Sequence, residues 1–107
     1  MNVIEQNLGQ IKKLCDKHKV GNMYVFGSVV TKDFNKESDI DFLVRFADVD
    51  LYDYFDNLLG LKNNLEKLFG RKVDILEEQA LKNPYLKKTI DNSKVLIYGR
   101  ETPEMVV

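Results

Sequence analysis

The sequence is poor in the residues that most often announce a chemistry. One cysteine, Cys15, and one histidine, His18, stand among 107 residues. A lone thiol excludes an internal disulfide and suits a reducing compartment. With no histidine at a recognisable spacing, Cys15 is expected to pack in the core rather than act as a nucleophile. His18 has no metal-ligating neighbour in sequence and is expected as an exposed residue ending a helix. No apolar run approaches transmembrane length, and the opening MNVIEQNLGQ lacks a signal-peptide core, so the expected setting is the cytoplasm. A basic excess is missing too: 16 Lys and Arg against 17 Asp and Glu leave a net charge of −1. Neither a membrane surface nor strong nucleic-acid binding is expected from that balance. There is no internal repeat or low-complexity segment. GSVVTK has no second glycine before a Lys-Ser or Lys-Thr pair, so it is not a P-loop.

What remains is 44% apolar and 31% charged, ordinary for one compact domain with a modest core. Residues 1–98 are expected to form that domain and 99–107 a loose tail, whose Met105-Val106-Val107 could dock on a partner. Residues 2–18 read as one amphipathic helix with Ile4, Leu8, Ile11, Leu14 and Cys15 on its apolar stripe, ended by Gly21-Asn22. Met23 to Phe26 reads as a buried strand that stops at Gly27-Ser28. Lys32 to Ser38 is polar and reads as a loop, and Asp39 to Phe46 as a second strand. Leu51, Phe55, Leu58, Leu61, Leu65 and Leu68 trace one face of a long helix, capped near Asp48 to Asp50 and stopped by Gly70. Tyr52 and Tyr54, at helical spacing, read as packing or edge residues rather than a stacking platform. Arg71 to Leu76 reads as a third strand and Glu77 to Leu81 as one helical turn. A helix from Asn83-Pro84 to about Asn92 follows, with Asn as cap and Pro at the first position. Val95 to Tyr98 reads as an edge strand or a segment against the core.

The feature that asks for a function is acidic. Aspartate is depleted in strands, yet Asp39 and Asp41 flank Ile40 in one, and Asp74 sits in another. Alternation turns Asp39, Asp41 and Leu43 to one face and Ile40, Phe42 and Val44 to the other. Carboxylates two positions apart lie about 7 Å apart along a strand. In a strand so apolar they need a positive partner. Two divalent ions about 3.5–4 Å apart would fit such a gap, and Asp74 joins as a third ligand if its strand pairs beside the second. The Gly27-Ser28 turn offers backbone N–H groups and a hydroxyl where a phosphate could dock.

Gly27-Ser28, ten residues, then Asp39-Ile40-Asp41, with Asp74 some thirty residues on, resembles the minimal nucleotidyltransferases of the DNA polymerase beta superfamily. The resemblance spans almost the whole chain. It implies an α+β fold, a small mixed sheet with helices packed on it, like the polymerase beta palm. Small members are similar to the antitoxin half of toxin–antitoxin pairs whose partner is a helical HEPN-type ribonuclease toxin. The resemblance therefore implies transfer of AMP from ATP to a tyrosine of such a toxin, with two Mg2+ ions held by Asp39, Asp41 and Asp74 as catalytic residues. Gly27 and Ser28 would hold the nucleotide. Many relatives carry an arginine soon after Gly-Ser. Here Val29, Val30 and Thr31 precede Lys32, so phosphate contact falls to Lys32 or to backbone N–H groups. A small-molecule nucleotidyltransferase and an antitoxin that works by binding alone are the alternatives. A homo-oligomer is compatible with all three.

Overall fold

The computed structural model describes residues 2–32 and 34–99. The chain runs through α1 (Asn2–Glu5), α2 (Leu8–Lys17), β1 (Val20–Phe26), a 3-10 turn (Gly27–Val30) and β2 (Ile40–Phe46). It continues through α3 (Leu51–Phe69), β3 (Val73–Glu77), a second 3-10 turn (Glu78–Ala80), α4 (Pro84–Ser93) and β4 (Val95–Tyr98). The strands form one sheet in the order β3-β2-β1-β4. β1 pairs antiparallel with both β2 and β4, whereas β3 lies parallel to β2. A parallel pair needs a crossover, and α3 supplies it. The fold is thus a mixed α+β sheet, as the acidic pattern's resemblance implied.

Side-chain alternation along β2 sorts the core. Ile40, Phe42 and Val44 face a cluster with Ile4, Ile11 and Cys15 of α1 and α2 and Leu61 and Leu65 of α3. Leu43 faces the opposite side, against Tyr24 and Ile90 of α4. Cys15 is fully buried, and burial pushes its thiol up to about 12, with the charge of Asp16 adding to the effect. It is a core residue, as expected.

Several sequence expectations need correction. The first helix is two: the chain breaks at Gln6-Asn7, where the Asn7 side-chain amide donates to the Val3 carbonyl at 2.8 Å. A side chain that bonds backbone competes with helix continuation, and beyond the break Leu8 is left 42% exposed. Gly21-Asn22 does not end the helix but lies inside β1. Lys19, at φ 57°, makes the turn instead. His18 is buried, not exposed. Asn57 Nδ2 donates to the His18 carbonyl at 2.6 Å, which turns Asn57 Oδ1 toward His18 Nδ1 at 3.2 Å. Nδ1 therefore carries the proton, and Nε2 accepts from Asn64 Nδ2 at 3.0 Å. The histidine locks the α2–β1 junction to α3.

α3 starts and stops where expected. Gly70 takes φ +64° and its N–H closes on the Glu66 carbonyl at 2.8 Å, a left-handed cap that glycine adopts without strain. The stripe is only half buried, however. Leu61 and Leu65 are enclosed, while Leu51 and Phe55 are 89% and 68% exposed. A helix of 19 residues is about 28 Å long, and the 5 residues of β3 reach only about 17 Å. The first turns of α3 therefore overhang the sheet. Tyr54 packs edge-on against Phe46 with centroids 5.7 Å apart, as expected of a packing residue, whereas Tyr52 is fully exposed. Asn83 caps α4, its side chain accepting from the N–H groups of Tyr85 and Leu86. β4 is an edge strand, as one of the two readings had it. The expected tail past Gly99 lies outside the described residues. Among the described residues no helix is long and apolar enough to cross a membrane.

Candidate active site

Strand register brings the acids together. Phe26 of β1 is opposite Asp41 of β2, and Asp41 is opposite Asp74 of β3. Neighbouring strands lie about 4.8 Å apart, so the row Phe26–Asp41–Asp74 crosses three strands side by side. Both aspartates are the second residue of their strands, which puts them at one rim of the sheet. Asp39 lies just before β2 rather than within it and is exposed. Asp41 is half-buried, and burial raises its carboxyl above the ordinary range. The charges of Asp74 and then Asp39 push it further the same way. Three like charges thus bear on one another at this point with no basic side chain paired to them among the described residues.

The Gly27 turn stands against the same row. Gly27 has φ +75°, and a Cβ built there would lie 2.3 Å from Asp41 Oδ2. Only glycine leaves room for the carboxylate and takes that backbone without strain. Ser28 Oγ donates to the Asp39 carbonyl at 3.5 Å, and the Thr31 N–H and hydroxyl both donate to the Ser28 carbonyl at 2.9 Å. The Gly-Ser bend is therefore on the acids' side and touches two of them. Lys32 is exposed, just beyond the turn. Nothing brings it to the acid row.

A cleft of about 480 Å³ opens beside the row, lined by Asp41, Asp74, Phe26, Ile75, Leu76 and, from α3, Phe55, Leu58, Leu59 and Lys62. Two of the residues that shape this region escape a reading of the sequence. Lys62 belongs to a helix whose polar positions look alike in sequence. Arg71 sits at the α3–β3 junction, and its Nη1 donates to the carbonyls of Asn35 and Ser38 at 3.0 and 3.1 Å. Its guanidinium also stacks 4.6 Å from the Phe34 ring centroid. Arg71 thus ties the loop entering Asp39 to the strand bearing Asp74. No local pattern signals this, because the partners are 33 or more residues apart.

Magnesium can be tested against this donor set. Among the described residues no three acids, histidines or cysteines close around one point as a ready cage. Magnesium does not ask for one, since it is usually held by one or two carboxylates together with substrate phosphates and waters. The hard oxygen donors Asp41 and Asp74, paired in register and short of positive charge, fit that description.

A family model described as "Nucleotidyltransferase domain" matches residues 9–97. A Methanocaldococcus jannaschii protein provisionally named a protein adenylyltransferase is 37% identical over 98 residues, 91% of this chain and 97% of its own. Among solved structures, one described as a provisional minimal nucleotidyltransferase superposes with a TM-score of 0.73 at 29% identity, over 88% of this chain and 92% of that one. A chain from the complex of a tri-AMPylated Shewanella oneidensis HEPN toxin with an MNT antitoxin shares the fold, with a TM-score of 0.64 at 22% identity. That superposition covers 90% of this chain and 72% of the other.

Proposed function

This chain belongs to the nucleotidyltransferase domain family, and from that premise we propose that it moves AMP from ATP to a tyrosine hydroxyl of a helical HEPN-type toxin and so acts as its antitoxin. The nucleotidyltransferase assignment rests on the family match and on relatives named protein adenylyltransferases. The single observation that supports an active centre, rather than a binding surface alone, is the Asp41–Asp74 pair in adjacent register with Gly27 closed against Asp41. The toxin as acceptor is supported by the fold shared with an antitoxin whose partner toxin is AMPylated.

In this reading Asp41 and Asp74, with Asp39 beside them, would hold two magnesium ions. Bound there, the ions would offset negative charge on the attacking and leaving oxygens. Asp41, crowded by Asp74 and Asp39, favours any cation that relieves their repulsion. Asp74, the more exposed of the paired acids, accepts the proton of the incoming hydroxyl. The Gly27-Ser28 turn receives the outer phosphates on first-turn N–H groups that have no partner within so short a helix. Lys32 adds a positive charge at the edge of that turn. The hydroxyl oxygen attacks the α-phosphorus, and pyrophosphate departs toward the turn. What the protein contributes is chiefly position and charge.

The test is the mass of the protein encoded by the adjacent reading frame, co-purified with this chain, after incubation with ATP and magnesium. The expected result is one or more added AMP units with the wild-type chain and none with Asp41→Asn. An inhibited but unmodified partner would replace transfer by plain binding, and a modified free small molecule would replace the protein acceptor.

A further inference from the structure

The overhang of α3 leaves its first turns without a packing partner among the described residues. Leu51, Tyr52, Phe55 and Leu59 are 89%, 98%, 68% and 44% exposed. They stand three and four positions apart, so they form one continuous strip along the outer side of the helix. Scattered exposed leucines are ordinary, whereas a contiguous apolar strip marks a docking surface. One aromatic side chain carries about 150–250 Å², so two of them with two leucines, exposed to this degree, present roughly 500 Å². Two such strips face to face bury about 1,000 Å², which is what a specific interface needs at the least.

Charge selects the occupant. Asp48, Asp50, Asp53 and Asp56 surround the beginning of the helix, and Lys62 follows the strip at its far end. The acids repel nucleic acid and anionic lipid. A second copy laid antiparallel, with the two-fold axis at Phe55, pairs positions equally far from that residue on either side. Position 51 then meets 59 of the other copy, and position 48 meets 62. Leucine faces leucine, and the acidic beginning of each helix lies beside the other's Lys62. A parallel copy would set acid against acid. Antiparallel packing also brings unlike ends of the helix dipoles together. The strip is therefore complementary to itself, as an isologous contact requires. Its exposure also means that no described segment keeps a second helix from the separation of about 8–10 Å found in ordinary helix packing.

We propose that the overhang of α3 is a homodimer interface, in which two copies pair antiparallel about Phe55 and each sets its Leu51 at the mouth of the other's cleft. Phe55 and Leu59 line the cleft that also holds Asp41 and Asp74. Leu51 of the second copy meets Leu59 there and closes the cleft's outer side. The pairing itself does not depend on the transferase reading. Where that reading holds, an acceptor reaches the acids only after the two copies part.

Sedimentation equilibrium of the full chain alone, without nucleotide, tests the pairing apart from any activity. The expected mass is twice 12.4 kDa at high micromolar concentration, falling toward 12.4 kDa on dilution. Phe55→Asp is expected to weaken association at least about tenfold, with an unchanged circular dichroism spectrum. Orientation is read by mild oxidation of Leu51→Cys, Leu59→Cys and an equal mixture of the two, since Cys15 is fully buried and adds no background. A disulfide needs Cα atoms within about 7 Å, so the mixture should cross-link several-fold faster than either variant alone. A wild-type chain that stays at 12.4 kDa throughout overturns the proposal, including when the strip is covered only by the protein of the adjacent reading frame. So does a Phe55→Asp chain that associates like wild type, or a Leu51→Cys chain that cross-links to itself as fast as the mixture does.

Discussion

At Asp41 the requirements of folding and of the proposed reaction centre pull apart. Its carboxyl is raised by burial and by Asp74 and Asp39, so the folded chain binds this proton more tightly than the unfolded chain. Stability linked to Asp41 therefore falls as pH rises from the ordinary carboxylate value through the raised one, and at neutral pH the ionised group is a net burden. Asp41→Asn should raise the neutral-pH Tm, while transfer is lost. The difference in Tm should shrink below pH 4, and melting curves at several pH values read it. A lower Tm at pH 7 would mean the carboxylate has a stabilising partner. Gly27 makes the opposite demand. Gly27→Ala would place a methyl where Asp41 Oδ2 now sits, so transfer should fall at least about a hundredfold while the circular dichroism spectrum keeps its shape. Both residues were legible in the sequence, because an acid in an apolar strand and a glycine at its neighbour's end are local anomalies. His18 was not: its burial depends on two amides from a helix 39 and 46 residues away.

Among the elements, the strands and α3 follow their patterns to within a few residues, and the departures have physical causes. Lys19 rather than Gly21 makes the turn into β1, and Asn7 splits the first helix. The stripe of α3 predicted a helix correctly but not its overhang, because periodicity says which face is apolar and not how far the sheet beneath extends. The α3–β3 junction fixes the loop of residues 34–38 through Arg71. Replacing it by lysine keeps a charge but loses the planar fork and the stacking on Phe34. Arg71→Lys should cut transfer several-fold and speed amide exchange at Ser38, with Tm nearly unchanged. Unchanged exchange at Ser38 would show that the loop is held by other contacts. The α2–β1 junction is the more structural of the two. Asn57→Ala leaves the buried Nδ1–H of His18 and its carbonyl without partners, and urea denaturation should show a loss of about 1–3 kcal/mol with transfer intact.

Seen as a whole, the molecule is one sheet with its helices, and most of the chain goes into building the rim where the acids meet. The architecture was legible in advance because the order of strand, bend, acidic strand, long helix and third strand allows few topologies once a parallel crossover is admitted. The cleft was not legible, since it is made by an overhanging helix and an open edge that only the assembled sheet defines. If magnesium serves transfer and not folding, chelation should abolish AMP transfer while the Tm of the free chain stays the same or falls only slightly, as the crowded acids lose a counter-ion. A large fall in Tm on chelation would instead mark a structural ion. The sealed position of Cys15, in contact with Met23 at 3.8 Å between sulfurs, has a practical side. With its only thiol walled off and hard to ionise, the native chain is its own blank for maleimide chemistry. A cysteine introduced at Leu59 would take up a fluorophore alone and report, by its colour, when something settles in the cleft.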